Sequence, residues 1–137
     1  MKIIQAIVIS LVMFLTGFYT SNAQTIEVSV VNATSNEGKV SFALFTKDNF
    51  MKIPLQQAKA IVKEGKSTVI FKNVPSGEYA ITCYHDKNDN GKMDFQPNGM
   101  PIEDYGASNN VMNFGPPQYN DAKFEVTNKD VSLEIRF

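Results

Sequence analysis

The stretch Phe71-Lys72-Asn73-Val74-Pro75-Ser76-Gly77-Glu78-Tyr79-Ala80-Ile81-Thr82-Cys83-Tyr84-His85 decides the fold of this chain. A run rich in β-branched residues, beginning at Thr68, ends at Asn73 to Gly77. Proline sets one backbone dihedral there and glycine accepts a positive one, so the chain reverses. Beyond the turn Tyr79, Ile81 and Cys83 alternate with Ala80, Thr82 and Tyr84. That is the period of a strand with one buried face. The larger apolar set is the expected inward face, and His85 ends it.

The same short alternations recur on either side every 8 to 15 residues, the spacing of a β-sandwich rather than a helical bundle. Ile26, Val28 and Val30 mark a first strand, and Val40, Phe42 and Leu44 a second. The turn cluster 32–38 between them suggests a hairpin. Pro54 makes 47–57 a crossover between sheets. Leu55, Ala58, Val62 and Gly65 fit a short capped helix, but Ala58, Ala60 and Val62 also alternate with Lys59, Ile61 and Lys63, so a strand is the expectation, turned back into 68–71 by Glu64-Gly65-Lys66. The strands expected at 122–126 and 131–137, joined by Thr127-Asn128-Lys129-Asp130, read as a final hairpin. The fold expected is all-β: a single antiparallel sandwich of about seven strands over 24–137, transthyretin- or immunoglobulin-like in outline.

Residues 1–23 are a different kind of sequence. Lys2 precedes an apolar run from Ile3 to Tyr19, and Ser21-Asn22-Ala23 puts small residues at the third and first positions before a cut. This is the pattern of a cleaved export signal, short for a membrane span. Its removal leaves 114 of the 137 residues, and 12 of the 13 basic side chains against 14 acidic ones. A net charge of about −2 excludes the strongly basic surfaces that nucleic acids and anionic membranes attract electrostatically. The expected address is the periplasm, the cell surface or the medium, with no integral segment after cleavage. Cys83 is the single cysteine, so no internal disulfide supports the fold, and its strand setting predicts a small buried apolar residue.

Between the fifth and sixth strands lies a segment, 86–119, rich in Asn, Gly and Pro, too long for an ordinary connection. It opens with Asp86-Lys87-Asn88-Asp89-Asn90-Gly91-Lys92-Met93-Asp94. Oxygen-bearing side chains stand at its first, third, fifth and ninth places and glycine at the sixth, the register of a calcium loop. Asp86, Asn88, Asn90 and Asp94 offer side-chain oxygens and Lys92 its backbone carbonyl. The twelfth place, usually a glutamate, is Pro97. The missing carboxylate must therefore come from farther on, with Glu103 and Asp104 nearest and Asp121 behind them. The competing reading is a set of Asx turns without an ion.

Two further groups invite chemistry. Tyr105, Ser108, Asn109 and Asn110 could offer amides and an aromatic face to a glycan or protein partner, or could pack the loop down. His85 could serve a hydrolase together with a loop hydroxyl, the alternative to a non-catalytic module. A zinc site lacks ligands, since the chain has one histidine and one cysteine.

The segment from Phe71 to Tyr79 resembles the F-x-N-x-P-x-G-x-Y turn of transthyretin-like and carboxypeptidase-regulatory-like sandwiches. Joined to YHDKNDNGKMD (84–94) and GMPIEDYGASNN (99–110), it is similar to the DUF2141 domain of uncharacterised secreted bacterial proteins. The resemblance covers nearly all of 24–137 and implies a fold and an exported setting, with no established activity.

Overall fold

The structure is a computed structural model and describes residues 23–111 and 114–137. The expected export signal therefore lies, except for Ala23, outside the described residues. Eight strands follow in chain order: β1 (Gln24–Val30), β2 (Lys39–Phe45), β3 (Gln56–Ile61), β4 (Ser67–Val74), β5 (Gly77–Asp86), β6 (Tyr105–Ala107), β7 (Phe124–Val126) and β8 (Val131–Ile135). A one-turn helix, α1 (Tyr119–Ala122), precedes β7.

The strands form an all-β sandwich. One sheet has the order β4-β1-β8, and the other β3-β2-β5-β6, with β7 also paired to β5. Ile26, Val28, Val30, Val40, Phe42, Leu44, Phe71 and Ile81 fill the space between them, each at most 1 % exposed. On β5 the inward set is Tyr79, Ile81, Cys83 and His85, as the alternation requires. Val62, Ala60 and Ala58 face inward from the β3 region in the same way.

Local pairing departs from the sequence expectation in five places, the first being 47–57, which does not cross between sheets but joins β2 to its antiparallel neighbour β3 in the same sheet. β1 and β2 are not a hairpin: β1 pairs β4, and β2 pairs β3 and β5 in the other sheet. β3 and β4 lie in different sheets, although Lys63 and Lys66 bridge around Gly65. β7 and β8 likewise separate, β7 to β5 and β8 to β1. The β1–β8 pair is parallel, against an otherwise antiparallel pattern. Each short turn thus carries the chain from one layer to the other, which buries both faces of the core at once.

The turn at 73–77 also differs in detail. The positive φ belongs to Asn73, at 58°, and not to Gly77. The Tyr79 hydroxyl donates to the Pro75 carbonyl at 2.7 Å, so the tyrosine folds back over the turn beside Gly77.

Side chains close the seams between the sheets. Gln56 donates to the Lys72 carbonyl at 2.9 Å and Ser67 to the Ala60 carbonyl at 3.1 Å, joining β3 to β4. At the opposite seam Asn110 donates to the Glu134 carbonyl at 3.0 Å and accepts the Arg136 N–H at 2.8 Å. Asn32 makes the same two-way contact with Phe137, at 3.0 and 2.9 Å. Each amide thereby substitutes for a missing strand neighbour.

Candidate metal centre

β5 ends at Asp86, 2 % exposed, and its carboxylate anchors the loop that follows. Oδ1 accepts the Asn90 N–H at 3.2 Å and Oδ2 the Gly91 N–H at 2.8 Å. Gly91 has φ +79° with open space around it, so the backbone and not crowding requires glycine there. Asn88 Oδ1 accepts from Asn90 N–H at 3.4 Å, and Asn90 Oδ1 from Lys92 N–H at 3.1 Å. These Asx turns wind the loop inward. Asp94 closes it, accepting from Asn88 Nδ2 at 2.9 Å and from Asn90 Nδ2 at 2.9 and 2.8 Å. Those amides hold the Asp94 carboxyl below the usual carboxylate range. Asp89 turns outward to Lys39, at 3.7 Å.

Beyond Asp94 the chain makes a small hairpin. Gln96 N–H donates to the Met100 carbonyl at 2.7 Å, Ile102 N–H to the Asp94 carbonyl at 2.9 Å, and Phe95 bridges Pro101. The hairpin returns the chain to β5 at Glu103. β6 pairs Tyr105 with Tyr84 and Gly106 with Cys83, and the His85 N–H donates to the Asp104 carbonyl at 2.9 Å. Continuing that register sets Glu103 across from Asp86, a like-charged cross-strand pair.

Glu103 is 6 % exposed, and its Oε2 has no hydrogen-bond partner. Burial raises its carboxyl above the ordinary glutamate range, against a bond from the Asp94 backbone, and the charges of Asp86 and Asp94 raise it further. The hydrogen bond it shares with the Asp94 side chain raises Glu103 and lowers Asp94. The same three carboxylates act on Tyr84, whose hydroxyl is raised mainly by burial. A cleft lined by Lys87, Asn88, Asp94, Phe95, Ile102 and Glu103 opens onto this point.

The expected donors therefore divide. Asp86, Asn88, Asn90 and Asp94 are interlinked, and Lys92 lies in the same winding. Glu103 joins them from the far end of the hairpin. Asp104 faces the other way, accepting from the Thr34 hydroxyl at 3.3 Å and lying 3.7 Å from the Lys87 ammonium. Among the described residues no three His, Cys, Asp or Glu side chains stand grouped as a metal would hold them. Two of the loop's side-chain donors are asparagines, whose amides present N–H to Asp94.

The second group of expected residues is engaged within the chain. Tyr105 donates to the Gly115 carbonyl at 3.3 Å. Ser108 is buried, accepting the Ile81 N–H at 3.1 Å and donating to the Ala122 carbonyl. Asn109 donates to the carbonyls of Asp121 and Lys123 at 2.9 and 2.8 Å, and Asn110 clamps β8. Both asparagines have positive φ, 68° and 55°. Tyr105, Val111, Asp121 and Arg136 border a cavity of about 470 Å³ beside them.

His85 is fully buried, with Nε2 2.7 Å from the Glu37 carbonyl, Nδ1 unpartnered, and its ring stacked on Phe137 at 6.3 Å. Cys83 is buried, and burial pushes its thiol up despite a backbone bond to Gly106. Among the described residues no helix is long and apolar enough to cross a membrane.

A family model described as an uncharacterized protein conserved in bacteria matches residues 28–134. No curated protein and no solved structure matches the chain.

Proposed function

For this chain, which belongs to the DUF2141 family, we propose an exported, non-catalytic sandwich module whose long loop is held by a structural calcium ion. The single observation that carries the reading is Glu103: a buried carboxylate with an unpartnered oxygen, set opposite Asp86 and hydrogen-bonded to Asp94. Two like charges facing each other across a strand pair destabilise the fold unless a cation lies between them. Glu103 supplies what Pro97 cannot at the twelfth place of the loop.

With Asp86, Asn88, Asn90, the Lys92 carbonyl and Asp94, Glu103 brings the donors to the 6 to 8 oxygens that calcium takes. Asn88 and Asn90 would rotate their amides to present Oδ1. Magnesium fits less well, because it keeps its waters and demands a small octahedral shell. The dissociation constant expected is on the order of 10⁻⁵ to 10⁻³ M, in the range of extracellular modules. An ion bound to both Asp86 and Glu103 would tie residues 94–102 to the end of β5, acting as a clip on the loop more than as a sensor.

The export signal read in 1–23 supports a periplasmic or cell-surface setting, where calcium is available. The F-x-N-x-P-x-G-x-Y turn supports a transthyretin-like lineage. The buried ring of His85 favours a binding or structural role over a hydrolase, since a general base must reach its substrate.

Thermal unfolding of the processed chain with and without calcium tests the reading. The ion should raise the melting temperature, and Asp86→Ala with Asp94→Ala should remove the rise. No calcium response in the unmutated chain would end the proposal.

A further inference from the structure

We propose that the free edge of β6 receives an extended peptide as an added strand, in the cavity that β6 shares with Arg136 and Phe137. This goes beyond the calcium reading and stands without it. β6 closes one end of its sheet, so one of its sides has no strand neighbour. The register fixes which groups face that side. Antiparallel partners alternate between pairs that exchange both backbone bonds and pairs that exchange none. The His85 N–H donates to the Asp104 carbonyl at 2.9 Å. Ser108 Oγ accepts the Ile81 N–H at 3.1 Å and lies 3.4 Å from the Ile81 carbonyl, so its side chain holds the bonded place there. The pair midway, Cys83 with Gly106, is then a bonded one as well. Tyr105 and Ala107 fall on the alternate places and turn their N–H and C=O groups away from β5, toward the cavity. Among the described residues none of these four groups has a backbone partner beyond β5.

Natural sheet edges are blunted by charge, proline or a bulge. Tyr105-Gly106-Ala107 has no charge and no proline, and its register with β5 runs without a shift. The cavity beside it measures about 470 Å³, within the roughly 300–1,000 Å³ of ligand sites. That takes a few residues of extended chain. A three-residue edge, about 10 Å long, falls far short of the about 800 Å² that each folded partner gives to a stable interface. Two donors and two acceptors on alternate residues suit another backbone, which repeats the same pair of groups at the same spacing.

Side chains around the edge say what the peptide carries. Ile102 and Val111 border the cavity at 60 % and 49 % exposure, an uncovered apolar surface for one side chain of the added strand. Arg136 borders it too, and among the described residues its guanidinium has no ion pair. Three carboxylates share the lining, and each is engaged. Asp104 faces Lys87 and Thr34, Glu103 shares a hydrogen bond with Asp94, and Asp121 has a contact of its own. The uncommitted charge is therefore positive, and a carboxylate of the peptide, its C-terminus or an acidic side chain, would pair with it in bidentate fashion.

The test uses the processed chain from Gln24, which contains every described strand. Synthetic arrays of random octapeptides, with free or amidated C-termini, are screened with it, and the binders are measured by fluorescence anisotropy. N-methylation of every second residue of a binder should lower affinity by about tenfold or more, while methylation of the residues between is tolerated, because only alternate amides face β6. Arg136→Gln, an exposed position, should lower affinity by about tenfold with the thermal unfolding of the chain unchanged. Loss of binding on amidation assigns the carboxylate to the C-terminus, and loss on replacing Asp or Glu by Asn or Gln assigns it to a side chain. Arrays without a binder, or binders indifferent to which amides are methylated, overturn strand addition. Binding that Arg136→Gln leaves intact overturns the carboxylate. Self-association of the chain that a binder dissolves would make a second copy the occupant and also overturn the proposal.

Discussion

Glu103→Gln separates a cation-completing carboxylate from a merely buried one. The substitution keeps the shape, removes one charge facing Asp86, and provides an amide that can donate to Asp94. Without calcium it should stabilise the fold, since an unpaired buried polar oxygen beside like charges costs about 1–2 kcal/mol. At an unfolding entropy of about 2.1 cal/mol/K per residue, the 114 residues of the processed chain give about 4 °C per kcal/mol, hence a rise of about 4–8 °C. With calcium the order of effects changes. At a concentration one hundred times the dissociation constant, the ion adds about 2.7 kcal/mol to the parent chain, or about 11 °C. If the variant binds a hundredfold more weakly, the same concentration adds only about 0.4 kcal/mol, or about 2 °C. Acidity supplies an independent check. A folded-state value raised above the unfolded one means the native state holds the proton longer, so Glu103 contributes stability below the ordinary glutamate range. That contribution is lost as pH rises through its raised value. The calcium-free parent should therefore lose stability across that window, and Glu103→Gln should flatten the loss. Differential scanning calorimetry over pH, with and without calcium, reads all three. A variant less stable than the parent without calcium, yet with a full calcium response, would refute the reasoning.

Gly38→Ala should cost about 2–4 kcal/mol in urea unfolding, because φ is +65° and a Cβ would stand 2.7 Å from the Lys87 carbonyl oxygen. Tyr79→Phe should cost about 1 kcal/mol by the same measurement, through loss of the bond to the Pro75 carbonyl. Cys83 should resist a thiol reagent such as Ellman's in the native state and react at once in denaturant, since burial both hides the thiol and pushes its ionisation up.

The strands up to β5 were legible because each alternates with period two and ends in turn residues. Their pairing was not. Adjacent strands joined by a short turn look like hairpins, yet in this sandwich the turns at 31–38, 62–66 and 127–130 carry the chain between layers. β6 escaped notice because three residues centred on Gly106 carry no pattern. Its glycine is required by contact, since a Cβ there would stand 2.8 Å from Ile135. The linked side chains of the loop, Asp86, Asn88, Asn90 and Asp94, follow the register read in the sequence. Glu103 could not be separated from Asp104 without β6, because only the register beside β5 decides which carboxylate faces Asp86 and which faces Lys87. For Asn109 and Asn110 the sequence leaves both ligand-facing amides and loop packing open, and in the structure positive φ and backbone partners engage both within the chain.

The parallel pair of β1 and β8 bears on how the molecule comes to be folded. Ile26 lies beside Val131 and Val30 beside Ile135, while Asn32 holds Phe137 and the Thr25 N–H donates to Asp130 at 2.9 Å. The first strand thus waits about a hundred residues for one of its two neighbours, a separation whose loop-closure entropy must be met before the contact returns anything. Slow folding is the expected outcome of that separation. Removal of β8 should leave the first strand exposed along one edge.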